Sequence, residues 1–167
     1  MTAAFDAAGV EHWLFGGWAV DFHLGRITRA HDDLDLAIWL DDMPRIDSVL
    51  AARGWVDLED PDVDGGKAFG RDGVRLELTY LYRDADGEVY TPLLDGTRGR
   101  WTDQSLGDEI GVLNGVRCRV VSLASMIRMK EPGRRSQPEE VAKDTADYEV
   151  LRALPPPQDR APRSSSR

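Results

Sequence analysis

Gly16-Gly17-Trp18-Ala19-Val20-Asp21, followed shortly by Thr28-Arg29-Ala30-His31-Asp32-Asp33-Leu34-Asp35-Leu36, is the stretch on which the reading of this chain turns. The glycines follow a short apolar run, Trp13-Leu14-Phe15, so the segment predicts a buried strand, a tight turn and a helix from Trp18 to Leu24. Gly25 then stands where a left-handed C-terminal cap is needed. From Asp33 to Leu40 the pattern alternates. Leu34, Leu36 and Ile38 point one way, and Asp33, Asp35, Ala37 and Trp39 the other, as in a strand with one face on the core.

Before this stretch, residues 2–9 suit a short helix ending at Gly9. After it, Asp41-Asp42-Met43-Pro44 signals a helix N-terminus, with Ile46, Val49 and Leu50 on one face and Gly54 as the stop. Trp55 to Leu58 is a candidate strand and Glu59 to Gly66 an acidic loop. Lys67–Gly70 and Val74–Tyr82 then form a hairpin around Arg71-Asp72-Gly73. Its second arm places Leu76, Leu78, Tyr80 and Tyr82 on one side and Arg75, Glu77, Thr79 and Leu81 on the other. Residues 84–109 read as irregular with short strands, whereas Asn114-Gly115 predicts a hairpin between Ile110–Leu113 and Val116–Val121. Ser122 caps a helix through about Lys130, and Ser136-Gln137-Pro138-Glu139 has capping-box spacing for a second helix to about Leu154.

A length of 167 residues suits a single domain, expected over 1–154 with C-terminal helices within 122–154, and a disordered tail over 155–167. No apolar run approaches the roughly 20 residues that span a bilayer, and the N-terminus shows no signal pattern, so the expected location is the cytoplasm. The single Cys118 precludes an internal disulfide, and no Cys/His spacing suits zinc. A net charge of -9 argues against extended contact with a nucleic-acid backbone and favours cationic small molecules.

Asp33 and Asp35 project from the same strand face about 7 Å apart at the backbone. Two such charges at roughly 6 Å repel by about 3 kcal/mol at an effective dielectric near 20. A hard cation such as Mg2+ removes that repulsion and recruits carboxylates, waters and phosphates as ligands. Two solvated acids on an exposed strand are the plainer alternative. Gly16-Gly17 bears on the choice, because glycine lets a backbone approach a phosphate closely and the following helix offers unpaired N–H groups. Its plainer alternative is a turn in which glycine serves packing alone.

The run GGWAVDFHLGRITRAHDDLDLAIW, residues 16–39, resembles the nucleotidyltransferase signature of the aminoglycoside 2''-adenylyltransferase and lincosamide nucleotidyltransferase families. In those families GGW, a following Asp, TR and HxDxD recur in this order. The resemblance implies a nucleotidyltransferase (polymerase-beta-like) fold of the α+β (α/β) class, with a mixed twisted sheet, helices packed on one face and C-terminal helices. It implies that Gly16 and Gly17 contact nucleotide phosphates, that Asp33 and Asp35 ligate a divalent metal, and that Glu77 is the third acidic position, either metal ligand or base. Lys130 resembles the family's basic element and would neutralise triphosphate charge; Arg29 either positions its loop or touches phosphates.

The implied activity transfers a nucleoside monophosphate, AMP from ATP as first choice, to a hydroxyl of a small acceptor, with Mg2+ as cofactor. An aminoglycoside is the first acceptor and a lincosamide the second. The rivals are a toxin or antitoxin acting on tRNA or protein, and a catalytically silent nucleotide-binding module. Expected partners are a nucleoside triphosphate and a small hydroxylated acceptor, without a membrane or nucleic acid, for a monomer or homodimer. Asp21 is expected to cap or to pair with Arg29, and His31 to orient Asp33 or the Arg29 loop. Lys143, Asp144 and Asp147 suit a charged helix face, Arg134 and Arg135 an interhelical loop, and Trp39 the wall of a substrate groove.

Overall fold

The computed structural model describes residues 1–102, 104–133 and 137–155. In chain order its elements are α1 (Thr2–Ala7), β1 (His12–Leu14), α2 (Gly16–Leu24), β2 (Asp33–Trp39), a 3-10 turn (Leu40–Asp42), α3 (Met43–Ala51), β3 (Val56–Asp57) and β4 (Gly66–Arg71). There follow β5 (Val74–Arg83), β6 (Val89–Pro92), β7 (Arg98–Trp101), β8 (Ile110–Leu113), β9 (Val116–Arg119), α4 (Leu123–Met129) and α5 (Pro138–Arg152). This is a mixed α+β fold. A seven-stranded sheet runs β1-β2-β5-β4-β3, with β6 continuing from β5 and β7 from β6, and β8 and β9 form a separate two-stranded sheet.

The β2–β5 pair is parallel, and the connection between them carries α3, β3 and β4. All other named strand pairs are antiparallel. Both expected tight hairpins form. Asp72-Gly73 and Asn114-Gly115 each take positive φ (50° and 78°, 49° and 79°), the primed turn whose twist matches that of flanking strands. Gly25 caps α2 in the left-handed region at φ 67° and donates its N–H to Asp21 O.

The leucine face of the sheet builds the core: Leu36, Ile38, Leu76 and Leu78 are fully buried there, in one cluster with Ile46 and Leu50 of α3 and Phe5 of α1. Two outlying contacts fix the helices that flank the sheet. Buried His23 of α2 turns one ring nitrogen to Val121 O (2.9 Å) and the other to Glu109 (3.5 Å), while Glu109 also accepts from Leu123 N at the start of α4 (3.0 Å). Leu14 forms an isolated parallel bridge with Val120, joining β1 to the segment leading into α4. No helix among the described residues is long and apolar enough to cross a membrane.

Several boundaries differ from expectation. Helix α2 begins at Gly16 rather than Trp18, because Phe15 serves as its N-cap. Residues 84–109 are more regular than their turn signals suggest, since β6 and β7 pair as a hairpin grown from β5. The capping reading at Ser136, and the loop residues Arg134 and Arg135, lie outside the described residues, as does the expected tail from residue 156; α5 opens on Gln137 with Pro138 in its first turn.

Burial holds the His12 imidazole below the ordinary histidine pKa of about 6.5, since desolvation opposes its charged form more than the bond to Val10 O favours it. Its stabilising effect is therefore complete above the unfolded pKa. It is lost as pH falls through that value towards the folded one, because the unfolded chain binds the proton first. Thermal unfolding followed between pH 8 and pH 5 should show a shallower acid decline in His12→Gln than in the wild type; identical slopes contradict this assignment.

Candidate active site

Strand register gathers the acidic residues. Across the parallel β2–β5 pair, Asp33 faces Arg75, Asp35 faces Glu77 and Ala37 faces Thr79. On the other flank of β5, antiparallel β4 sets Gly70, Ala68 and Gly66 against Arg75, Glu77 and Thr79. Directly paired residues share a face of the sheet. This face therefore presents successive rows, Asp33 with Arg75, Asp35 with Glu77, then Ala37 with Thr79, and β4 adds only glycine or alanine to each.

Glu77 does not stand alone. Arg75 Nε donates to Glu77 Oε1 at 2.5 Å and Arg75 Nη2 to Asp60 Oδ2 at 2.7 Å. The hydrogen bonds to Glu77 and then Asp60 raise the Arg75 pKa, and the guanidinium holds the Asp60 carboxyl below its usual range. The alternation of β5 shows Arg75 beside Glu77 in the sequence, but it does not show that the two pair. With Glu77 turned to Arg75, no group of three or more His, Cys, Asp or Glu side chains among the described residues is gathered closely enough to hold a metal ion.

The start of α2 lies against these rows. Phe15 N donates to Asp35 O (3.1 Å), tying the helix entrance to the strand at the level of the carboxylates. Gly16 has φ 65°, and a Cβ built on it would fall 1.8 Å from Asp35 Oδ2 and 2.7 Å from its Cγ. A Cβ on Gly17 would fall 2.5 Å from His31 Nδ1 and 2.7 Å from Arg29 Nη2. The two glycines thus make room for different partners: Gly16 for the Asp35 carboxylate, Gly17 for the Arg29–His31 loop. No side chain caps α2, so the donors of its first turn are left to other partners.

Asp21 organises the intervening loop. It is fully buried, and one oxygen accepts from Thr28 N (3.0 Å) and Thr28 Oγ1 (2.6 Å), while the other lies 2.6 Å from His31 Nε2. The His31 ring also rests against Trp18, with centroids 4.6 Å apart. Asp21 therefore pairs with Thr28 and His31, not with Arg29 as one expectation had it. Arg29 instead reaches Asp147 Oδ2 (3.5 Å) and Ala30 O (3.1 Å), and its buried Nε makes no hydrogen bond.

Lys130 is committed elsewhere. Its Nζ lies 2.6 Å from Asp144 Oδ1 and 3.1 Å from Asp147 Oδ2, so it clamps α4 to α5 and shares Asp147 with Arg29. Asp147 is buried, as one member of a charged face packed inward should be. Lys143 lies 3.7 Å from Asp32, both largely exposed.

Trp39 stands apart from the acidic rows. It follows Asp35 by four residues, about 13 Å along a strand, and there meets Trp13 edge-on (centroids 6.3 Å apart) beneath the Arg83 guanidinium (5.1 Å). The cavity it lines, about 440 Å³ with Asp41, Asp42, Tyr82 and Arg83, is at the opposite end of the strands from the acidic rows. A different cavity adjoins the carboxylates. It has a volume of about 270 Å³ and includes Thr79, the residue after Glu77 on this face of β5, together with Thr91, Trp101, Ser105, Ser125 and Arg128. Trp101 also packs edge-on against Phe15 at the entrance to α2 (5.8 Å). Sequence reasoning missed this cavity because β7 and α4 meet only through tertiary packing.

The fold is that of known nucleotidyltransferases. The chain superposes on a lincomycin-bound lincosamide antibiotic adenylyltransferase, LnuA, with a TM-score of 0.70 at 16% identity, covering 90% of this chain and 91% of the other. It superposes on the antibiotic-resistance factor ANT(2'')-Ia with a TM-score of 0.65 at 22% identity, covering 89% and 77%. The sequence pattern of the Aminoglycoside-2''-adenylyltransferase family matches residues 1–147, and the chain belongs to that family. Over 36 residues, 22% of this chain, it is 53% identical to a 2''-aminoglycoside nucleotidyltransferase of Escherichia coli, and 56% identical to one of Klebsiella pneumoniae. Each of these matches spans only 20% of the relative's length.

Gly16→Ala should cost about 2 kcal/mol or more, from the left-handed backbone and the collision with Asp35 together. Urea denaturation measures it, and a Gly16→Ala protein as stable as the wild type contradicts the close approach.

Proposed function

We propose that the chain transfers a nucleoside monophosphate, AMP from ATP, to a hydroxyl of a small antibiotic-like acceptor, an aminoglycoside or a lincosamide. The single observation that carries this reading is the placement of the Asp33 and Asp35 rows, with Glu77 opposite, against the uncapped glycine entrance of α2. Family membership supports the same chemistry. The location that goes with a nucleoside triphosphate donor is the cytoplasm.

The donor's phosphates fit between the first turn of α2 and the two aspartates. Backbone N–H groups there point outward with the positive end of the helix dipole behind them, which favours an anion. Arg29 stands beside Gly17 with an unused buried Nε–H, a suitable further donor for a phosphate oxygen. Lys130, already neutralised by Asp144 and Asp147, serves better to hold α4 and α5 in place.

The donor set suits Mg2+. Asp33 and Asp35 offer hard carboxylate oxygens two residues apart on one face, and Glu77 can join them once Arg75 releases it. When bound, the ion neutralises charge on the α-phosphate and the leaving group. In the reaction the acceptor oxygen bonds to the α-phosphorus as its bond to the bridging oxygen breaks, releasing pyrophosphate. The hydroxyl proton passes to a carboxylate; Glu77, once Arg75 releases it, either takes that proton or joins the metal ligands. Asp33 and Asp35 would hold the cation that screens them from the donor's phosphates, and the small residues of β4 leave room above the rows.

Asp35→Asn should lower turnover at least about 1,000-fold while thermal unfolding and circular dichroism stay close to the wild type. Nucleotide–acceptor adducts counted by mass spectrometry provide the measurement, and retained turnover in that variant defeats the reading.

A further inference from the structure

Glu77 acts only after Arg75 lets it go, so whatever else holds Arg75 governs the site. Glu77 lies on β5 directly opposite Asp35, and Arg75 precedes it on the same face, opposite Asp33. The guanidinium bends along the strand. Its Nε donates to Glu77 Oε1 (2.5 Å) and its Nη2 to Asp60 Oδ2 (2.7 Å), so one planar fork joins a strand residue to the β3–β4 connection. Among the described residues the Glu77 side chain hydrogen-bonds to Arg75 alone.

The β3–β4 connection is shaped for this contact. Gly70 of β4 pairs directly with Arg75 and leaves its side of the row without a side chain, and Leu58 takes that space: a Cβ on Gly70 would fall 2.8 Å from Leu58 Cδ2. Asp60 follows two residues later. Its Oδ1 accepts from Asp62 N (3.0 Å), which fixes the carboxylate and leaves Oδ2 to the guanidinium. Asp57, at the start of the connection, accepts from Glu59 N (2.9 Å) and pairs with Lys67 (2.7 Å). Asp60 is thus a fixed post. The side chains of Arg75, Asp60 and Glu77 are 33%, 25% and 28% exposed, so water replaces either bond as it opens and no ionised group is stranded in the core.

A carboxylate oxygen that accepts from a guanidinium is a poorer ligand for a dication, because its lone pair is engaged and the guanidinium repels the ion at close range. A nucleoside triphosphate shifts that balance. Its oxygens bring further ligands for the ion and negative charge to the rows that Arg75 shares. We propose that Arg75 and Asp60 form a latch on Glu77: without nucleotide Arg75 holds the Glu77 carboxylate back from a divalent ion, and when nucleotide and ion arrive together Asp60 retains Arg75 while Glu77 is freed. The assignment rests on the nucleotidyl-transfer reading above. Arg75 is a positioning residue in this scheme, and the latch makes uptake of the ion depend on the donor.

The test titrates the full chain with Mn2+, first alone and then with a non-hydrolysable ATP analogue, and reads the free ion by electron paramagnetic resonance. Arg75→Gln should tighten uptake of Mn2+ alone about 10-fold and shrink the gain brought by the analogue by a similar factor, since the two are linked. Asp60→Asn should act in the opposite sense. Its Oδ1 keeps the bond from Asp62 N while the guanidinium is left to Glu77, which should weaken uptake of Mn2+ alone about 3-fold. Adding Glu77→Gln to Arg75→Gln should remove the tightening. A merely structural role for Arg75 predicts weaker uptake in both single variants, and that result overturns the latch. Unchanged uptake in Arg75→Gln does so too, as does a tightening that survives Glu77→Gln. Should Arg75→Gln fail to fold by circular dichroism, Asp60→Asn decides alone, and unchanged or tighter uptake there overturns the proposal. Wild type that takes up no Mn2+ even with the analogue removes the transfer reading itself, whereas normal cooperative uptake with any of the contrary results removes the latch alone.

Discussion

Asp35 and residue 16 compete for one volume, and the site exists because residue 16 is a glycine. A Cβ there would fall inside the Asp35 carboxylate, and the backbone at that point takes a conformation that side chains resist. Removing the methyl lets the start of α2 settle against the middle of β2. The helix entrance, a source of unpaired N–H groups, and the strand's carboxylates then share one recess. A larger residue would separate the helix entrance from the carboxylates even if every other contact survived.

Much of the remaining architecture keeps that juxtaposition in place. Asp21 lies buried one helical turn in and draws Thr28 and His31 towards α2, which sets the loop carrying Arg29 against Gly17. Lys130, Asp144 and Asp147 bind α4 to α5 and secure Arg29 from the other side. Burying charges in this way costs desolvation, which is offset only when partners are complete. Asp21, Lys130, Asp144 and Asp147 thus frame the recess between α2 and β2 and set Arg29 beside Gly17.

The residues of the proposed donor half are local, and their placement on strand and helix was legible in the sequence for that reason. Asp33, Asp35 and the alternation around them, the primed turn at Asp72-Gly73 and the cap at Gly25 each depend on periodicity or backbone conformation that neighbouring residues reveal. Glu77 was legible on its own strand, but its position opposite Asp35 depends on the register of a parallel pair separated by α3, β3 and β4. The Arg75–Glu77–Asp60 chain was hidden for a similar reason, since Asp60 enters from a loop. Trp39 illustrates the limit of reading a face: it points the same way as Asp35 yet lies too far along the strand to share a groove. The pocket around Trp101 and Arg128 was invisible because it forms only when β7 and α4 meet, and no periodic signal links those segments.

The central claim is that Asp33 and Asp35, beside the glycine entrance of α2, hold a divalent ion and a nucleotide together. Titration of the chain with Mn2+ and a non-hydrolysable ATP analogue, followed by electron paramagnetic resonance, tests it most directly. The account predicts cooperative uptake of ion and nucleotide by the wild type, loss of that uptake in both Asp33→Asn and Asp35→Asn, and its retention in Asp32→Asn, whose carboxylate faces Lys143 at the surface. Equal uptake by the Asp35→Asn protein would contradict it.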